Sequence, residues 1–277
     1  PNYSWFRYLE DQIASGQVDW AQPVSLRAAG DGQLKVGALY RGRHRNFDAQ
    51  SFVFTPLASP TPSSYVTLQP EQAFAPENIG SNMSVARLNG RSQPYESEDA
   101  VTAFYLMEDL PLTSAVRLAG GVRLEMWGVD LYPGSKAAPI EAPTSLDTRD
   151  WLWSANATVT INPSSQLRLG AFSSVARPDP RELSADNYTP VGGECSLQGN
   201  PDLQPTNIVN LDARYEIYPG SGEGVAVSGF YKKFDQPILE VLDAPAFGGC
   251  RVSYTNAESA TNFGAEFEAR KSLGFIG

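Results

Sequence analysis

Ile208-Val209-Asn210-Leu211-Asp212-Ala213-Arg214-Tyr215-Glu216-Ile217 alternates apolar and polar residues without a break. Side chains of an extended chain point to opposite faces in turn. Val209, Leu211, Ala213, Tyr215 and Ile217 therefore share one face, and Asn210, Asp212, Arg214 and Glu216 the other. The pattern recurs along the chain, and the apolar face carries almost no charge each time. A set of such ribbons reads as a β-barrel with lipid outside and water inside.

Composition is compatible with that reading. The chain has 277 residues, 42% of them hydrophobic, and a mean hydropathy of -0.29. No run approaches the ~18 apolar residues of a membrane helix, but a barrel strand needs apolar residues only at alternate positions. Aromatics make up 11%, with 12 Tyr and 5 Trp, which suits interfacial girdles. A formal charge of -10 excludes nonspecific binding to nucleic acid, which needs a basic footprint. The frequent Gly and Pro fit many turns and long loops. The opening Pro1-Asn2-Tyr3-Ser4-Trp5 lacks a basic segment followed by an apolar one, and the closing Leu273-Gly274-Phe275-Ile276-Gly277 lacks a clear last strand. Both ends are expected to be cut.

Alternation predicts about nine strands, near 23–28, 33–47, 100–109, 114–127, 151–162, 166–177, 208–217, 225–234 and 262–271. In 33–47, Leu34, Val36, Ala38 and Tyr40 oppose Lys35, Arg41, Arg43 and Arg45. Val101, Ala103, Tyr105 and Met107 share a face in the third. In 114–127, Val116, Leu118, Val122, Leu124 and Met126 oppose Arg117, Arg123 and Glu125. Trp151, Trp153, Ala155, Ala157, Val159 and Ile161 share a face of 151–162, and Phe263, Ala265 and Phe267 oppose Glu266, Glu268 and Arg270 in the last. Connections alternate between short turns and long loops near 48–97, 133–149, 178–204 and 235–255. One-sided long loops are the asymmetry of an outer-membrane barrel, and a soluble sandwich usually lacks it. Spanning strands need ~9–11 residues, against ~5–6 in globular sheets. Nine antiparallel strands leave edges without partners in lipid. The whole chain, 1–277, is thus expected to be a single domain, a fragment of a larger all-β, antiparallel transmembrane β-barrel.

Several segments then resemble the TonB-dependent outer-membrane receptors. Val175-Ala176-Arg177-Pro178-Asp179-Pro180-Arg181-Glu182-Leu183-Ser184 is similar to the segment that follows a barrel strand in that family. Gly199-Asn200-Pro201-Asp202-Leu203-Gln204-Pro205-Thr206 resembles its GNPxLxPT segment, followed by the Asn210, Asp212, Arg214, Tyr215, Glu216 strand. Val227–Phe234, Gly264–Glu268, Ala75–Gly80 and Arg117–Arg123 also look like parts of this barrel. The resemblance covers roughly residue 33 to the end. It implies a 22-stranded barrel with an internal plug, and uptake of a scarce nutrient (siderophore, cobalamin or glycan) driven by the inner-membrane TonB complex. No plug, TonB box or closing strand is found in these residues.

Site expectations follow. Cys195 and Cys250, the only cysteines, fall on consecutive long loops of one side, where an oxidising exterior permits a disulfide; the alternative is two unrelated thiols. The expected lumen-facing set is Arg41, Arg43, Arg45, Arg117, Arg123, Glu125, Asn210, Asp212, Arg214, Glu216, Glu266, Glu268 and Arg270. Its arginines either attract an anionic ligand or plug, or are neutralised by Glu125, Asp212, Glu216, Glu266 and Glu268 on neighbouring strands. The expected lipid-facing set is Val116, Leu118, Val159, Ile161, Val209, Leu211, Ala213, Tyr215 and Ile217. Trp151, Trp153, Tyr105, Tyr215, Tyr218 and Tyr231 are read as interfacial belts, and residues 1–20 as a short amphipathic helix in an outer loop.

His44 is the only histidine, so a multi-histidine metal site and a catalytic triad are both excluded. Asp186, Asp202 and Glu194 carry oxygen ligands but form no twelve-residue calcium loop. No catalytic residue, cofactor or metal is expected. The partners expected are outer-membrane lipid, a plug and TonB complex, and a small-molecule or glycan ligand. A surface lipoprotein is added if the barrel instead anchors a surface complex. A soluble secreted glycan-binding β-sandwich is the remaining alternative.

Overall fold

The computed structural model describes residues 2–26, 30–57, 69–88, 94–185, 187–188, 195–220, 222–243 and 250–272. Its strands in chain order are β1 (Asn2–Leu26), β2 (Gly30–Pro56), β3 (Met83–Leu88), β4 (Tyr95–Pro111), β5 (Val116–Pro133), β6 (Thr144–Asn162), β7 (Ser165–Ala176), β8 (Asn187–Tyr188), β9 (Cys195–Gln198), β10 (Thr206–Ile217), β11 (Gly224–Asp235), β12 (Ile238–Asp243), β13 (Cys250–Asn256) and β14 (Ser259–Arg270). Nine of them pair in the order β1-β2-β4-β5-β6-β7-β10-β11-β14, every neighbour antiparallel, with β3 added alongside β2. The main sheet is open among the described residues, with β1 and β14 at its edges.

Eight of the nine strands are those expected from alternation, though several are longer; the first, expected near 23–28, is only the end of β1. β2 has 27 residues; at ~3.3 Å per residue it reaches about 90 Å, roughly three times a ~30 Å hydrocarbon core. The segment expected as an amphipathic helix is instead the body of β1, paired residue by residue with β2 from Asn2↔Phe54 to Leu26↔Gly30. Its Trp5, Phe6, Leu9 and Ile13 could be read at helical spacing, yet the available edge of β2 supplies hydrogen bonds to every second residue of an extended chain. The long loops are likewise less irregular than expected. β2 runs on through Pro56, β4 already starts at Tyr95 and β6 at Thr144. The last two long connections supply a second sheet, β12-β13-β9-β8. Short turns and long connections still alternate strictly.

Cross-strand pairs propagate one face through the sheet. Leu211 opposes Ala171 and Tyr231, Ala171 opposes Ala155, and Ala155 opposes Gly120. This outer face carries Leu211, Tyr231, Trp151, Ile161, Phe263 and Phe267, all substantially exposed. The inner face carries the polar alternates and the only large core among the described residues: Phe47, Ala49, Tyr95, Val101, Ala103, Trp127, Val129, Leu131, Leu183 and Leu203. Val101, Ala103, Tyr105 and Met107 lie on this inner face, while Phe104 and Leu106 lie outside and exposed. β4 is apolar on both faces, so its alternation could not fix its facing.

Two adjacent positions in β5 are dictated by close packing of its neighbours. A side chain at Gly120 would meet the Ser154 carbonyl at 2.6 Å, and one at Gly121 would collide with the Leu106 carbonyl. Only glycine lets the neighbouring backbones approach this closely.

Candidate functional site

The long-loop end of the inner face is closed by the connection from β7 to β10. Asp179 caps a helical turn, Pro180–Leu183: its carboxylate accepts from Arg181 N–H at 3.0 Å, and Glu182 accepts from Asp179 N–H at 2.8 Å. This reciprocal capping box satisfies donors that a one-turn helix cannot satisfy itself. The turn drops Leu183 into the core, and Leu203 follows from the Gly199–Thr206 segment, both with no exposed surface. Arg181 lies over the Phe47 and Tyr95 rings at 4.5 and 5.9 Å, a cation–π contact in a desolvated setting. Gly199 backs directly onto the carbonyls of Arg181, Glu182 and Ser184, where a side chain has no room.

The same segment holds the next connection. Asn200 Nδ2 donates to the Tyr254 carbonyl at 3.1 Å, and Gln204 N–H donates to Asn256 Oδ1 at 2.9 Å. Asn256 Nδ2 donates to the carbonyls of Gln204 and Gln236, and Thr206 Oγ1 also donates to Gln236 at 2.9 Å. Gln236 has a φ of 53°, a left-handed conformation that costs a non-glycine residue about 1 kcal/mol or more and is held here by those donors. Ile238 and Tyr254 pack on the core beneath, and burial pushes the Tyr254 phenol up. At the far end β9 and β13 run parallel with Cys195 opposite Cys250, and the two form a disulfide. Two sequential connections are thereby joined into one cap.

Charges on the inner face are largely paired. Arg43 and Arg45 both bind Asp11 of β1, and Arg45 also binds Asp179 at 3.1 Å; Arg41 lies 4.0 Å from Asp99. Arg177 joins Glu125 at 2.7 Å to Asp150 at 2.8 Å and lies over the Trp127 ring, while Arg123 also holds Glu125. Near the short turns Glu216 receives Arg168, Arg214 and Gln166, Arg214 reaches Glu268, and Arg117 holds Asp109. Glu125, Glu216 and Glu268 neutralise arginines as their spacing suggested. Asp212 and Glu266 have no ion pair among the described residues, and Arg270 lines a shallow recess with Arg214, Glu216 and Glu268. Asn210 is polar but almost fully buried, donating to Ser174 Oγ at 3.2 Å.

Sequence reasoning missed Asp11, Asp99, Asp150, Arg177 and Asp179. Asp11 was hidden by the helical reading of its segment, and the others meet their partners only through strand pairing and the fold-back after β7. Val116, Leu118, Val159, Ile161, Val209, Leu211, Ala213, Tyr215 and Ile217 do share one face. Trp151, Trp153, Tyr215, Tyr218 and Tyr231 are exposed. Tyr105 is different: it lies on the inner face and donates its hydroxyl to Asp19. Asp202 sits in a turn, its N–H donating to Asn200 Oδ1; Asp186 and Glu194 lie outside the described residues.

A single long-stranded sheet, bare and apolar outside, ion-paired inside, with all long connections at one end, defines a section of an outer-membrane β-barrel. A family described as "TonB dependent receptor-like, beta-barrel" matches residues 2–277. The chain belongs to this family of receptor β-barrels, and its place is the outer membrane of Gram-negative bacteria. It is 27% identical over 114 residues to the iron-regulated outer membrane virulence protein of Vibrio cholerae, an alignment spanning 38% of this chain and 17% of that protein. Among solved structures, the ferric citrate transporter FecA matches 99% of the chain with a TM-score of 0.63 at 11% identity. The ferric-catecholate import receptor Fiu of Escherichia coli K12 matches 96% with 0.62 at 12%. The siderophore receptor PirA of Acinetobacter baumannii matches 97% with 0.55 at 15%. The chain spans 34%, 36% and 35% of the lengths of these structures.

Proposed function

We propose that the chain is a wall segment of a receptor that takes up a scarce nutrient across the outer membrane, with energy supplied through TonB. The observation that carries this reading is the two-faced sheet. An exposed Leu, Ile or Phe forgoes roughly 1.5–3 kcal/mol of burial, and the outer face bears such residues on strand after strand while no second sheet covers them among the described residues. Hydrocarbon is the medium that removes this cost. The outer set, Val116 to Ile217, then faces lipid. The inner set, Arg41 to Arg270, then faces the lumen and a plug.

In this reading the chain is one domain, and strands beyond β1 and β14 complete the hydrogen bonds of both edges, which lipid cannot supply. The cap over β7–β10 and β11–β14 takes part in ligand recognition. Ferric chelates are the first ligands to test, because the curated relative is named for its regulation by iron. The test is uptake of radiolabelled ferric chelates by cells carrying the full-length gene, with and without TonB. TonB-dependent accumulation is expected; accumulation indifferent to TonB would overturn energised import. A docking role for a surface lipoprotein has one observation in its favour, the exposed Leu239, Val241 and Leu242 of β12. Co-purification of a lipoprotein that is lost when these residues become serine, with uptake intact, would favour it.

A further inference from the structure

On the outer face of β2 and β4, above the apolar belt, three metal-binding side chains converge. His44 lies directly opposite Glu98, and Glu96 sits one same-face position along β4. His44 Nε2 is 3.9 Å from Glu96 Oε1, and Nδ1 is 3.9 Å from Glu98 Oε1, beyond hydrogen-bond length in both cases. One donor atom from each of the three lies within 4.8 Å of the others. Ligands sharing a four-coordinate ion at about 2.0–2.1 Å sit roughly 3.3 Å apart, and these side chains are partly exposed, leaving room for rotamer changes that close the gap once Lys136 is displaced.

The electrostatics favour a cation there. Glu98 also opposes Asp130 across the next pair of strands, so like charges meet on one face, which is destabilising without a counter-charge. A cation is already seated: Lys136, from the connection between β5 and β6, places its ammonium on Glu98 while its main-chain N–H donates to Glu96 at 2.8 Å. The lysine binds the two carboxylates, and among the described residues it makes no hydrogen bond to His44. An imidazole beside two carboxylates is a donor set that suits first-row divalent ions, whereas magnesium and calcium take oxygen ligands alone.

We propose that His44, Glu96 and Glu98 bind one divalent transition-metal ion of the zinc class at the outer rim, displacing the ammonium of Lys136 and so releasing the connection that carries it. The site lies on the face opposite the lumen and does not depend on what the receptor transports. Calorimetric titration of untagged full-length receptor in detergent with Zn²⁺ alone is expected to reveal an equivalent that His44→Ala and Glu98→Gln each weaken about tenfold or more. Lys136→Met is expected to tighten it by removing the competing charge. Co²⁺ titrated into the same protein should give an absorption band that His44→Ala removes. Heat-modifiable gel migration checks that each variant remains a folded barrel. The proposal is overturned if His44→Ala titrates like the wild type, or if Mg²⁺ displaces Zn²⁺ at equal concentration, which would mark a bare carboxylate cluster.

Discussion

Single residues report the facing of the sheet most directly. Ala155 and Asn156 are neighbours on β6 that point to opposite faces; Ala155 lies on the outer apolar face and Asn156 looks across Gly170 toward Asp212. Arginine at position 155 is expected to cost roughly 2–4 kcal/mol if that face lies at mid-bilayer. Arginine at 156 should cost under about 1 kcal/mol, since it gains an unpaired carboxylate as neighbour. Urea unfolding of the full-length protein in liposomes measures both, and equal costs would contradict the assignment. Gly199 carries the other residue-scale prediction. Gly199→Val cannot keep the close approach to the Arg181, Glu182 and Ser184 carbonyls, so the cap should become sensitive to protease while the strands below stay protected.

Elements act together in the cap. Free-thiol titration of the unreduced protein should find no reactive thiol from Cys195 or Cys250, and two after reduction, as the disulfide requires. Closing a 55-residue separation contributes about 4 kcal/mol in the chain-entropy model, so reduction should loosen β9 and β13 first in hydrogen exchange. Arg177→Met should do more damage than its surface neighbours. It leaves Glu125 and Asp150 facing each other without their shared cation, and breaking a largely buried ion pair by removing one partner costs about 3–5 kcal/mol. The readout is exchange in Pro180–Leu183 and β12–β13; unchanged protection there would show that the network does not mount the cap. The strongest sequence motif thus acts as a bracket: Asn200, Gln204 and Thr206 tie successive connections together.

At the scale of the whole molecule, the two-faced sheet predicts behaviour in solvent. The full-length protein should need detergent or lipid to remain monodisperse, because leaving its outer face in water forgoes the burial of many large apolar side chains. A monodisperse product in plain buffer would instead mean that protein covers Leu211 and Val159. The alternation of 208–217 and its repeats made eight of the nine sheet strands, their facing in most cases and the side of the long loops legible in the amino-acid sequence. β4 was ambiguous because both its faces are apolar. β1 was misread because a short apolar set can satisfy helical and extended spacing alike until a partner edge is present.

The sequence alone determined the alternation, and with it a sheet having one greasy and one ionic face, because side-chain direction along an extended chain is a local property. It also placed the two cysteines on one side, since turn and loop lengths are local as well. Only the tertiary structure decided which carboxylate meets which arginine, that the β7–β10 connection folds inward to bury Leu183 and Leu203, and that His44 stands beside Glu96 and Glu98. Those neighbours are far apart in the chain and are brought together by strand register and by the core, neither of which any local pattern encodes.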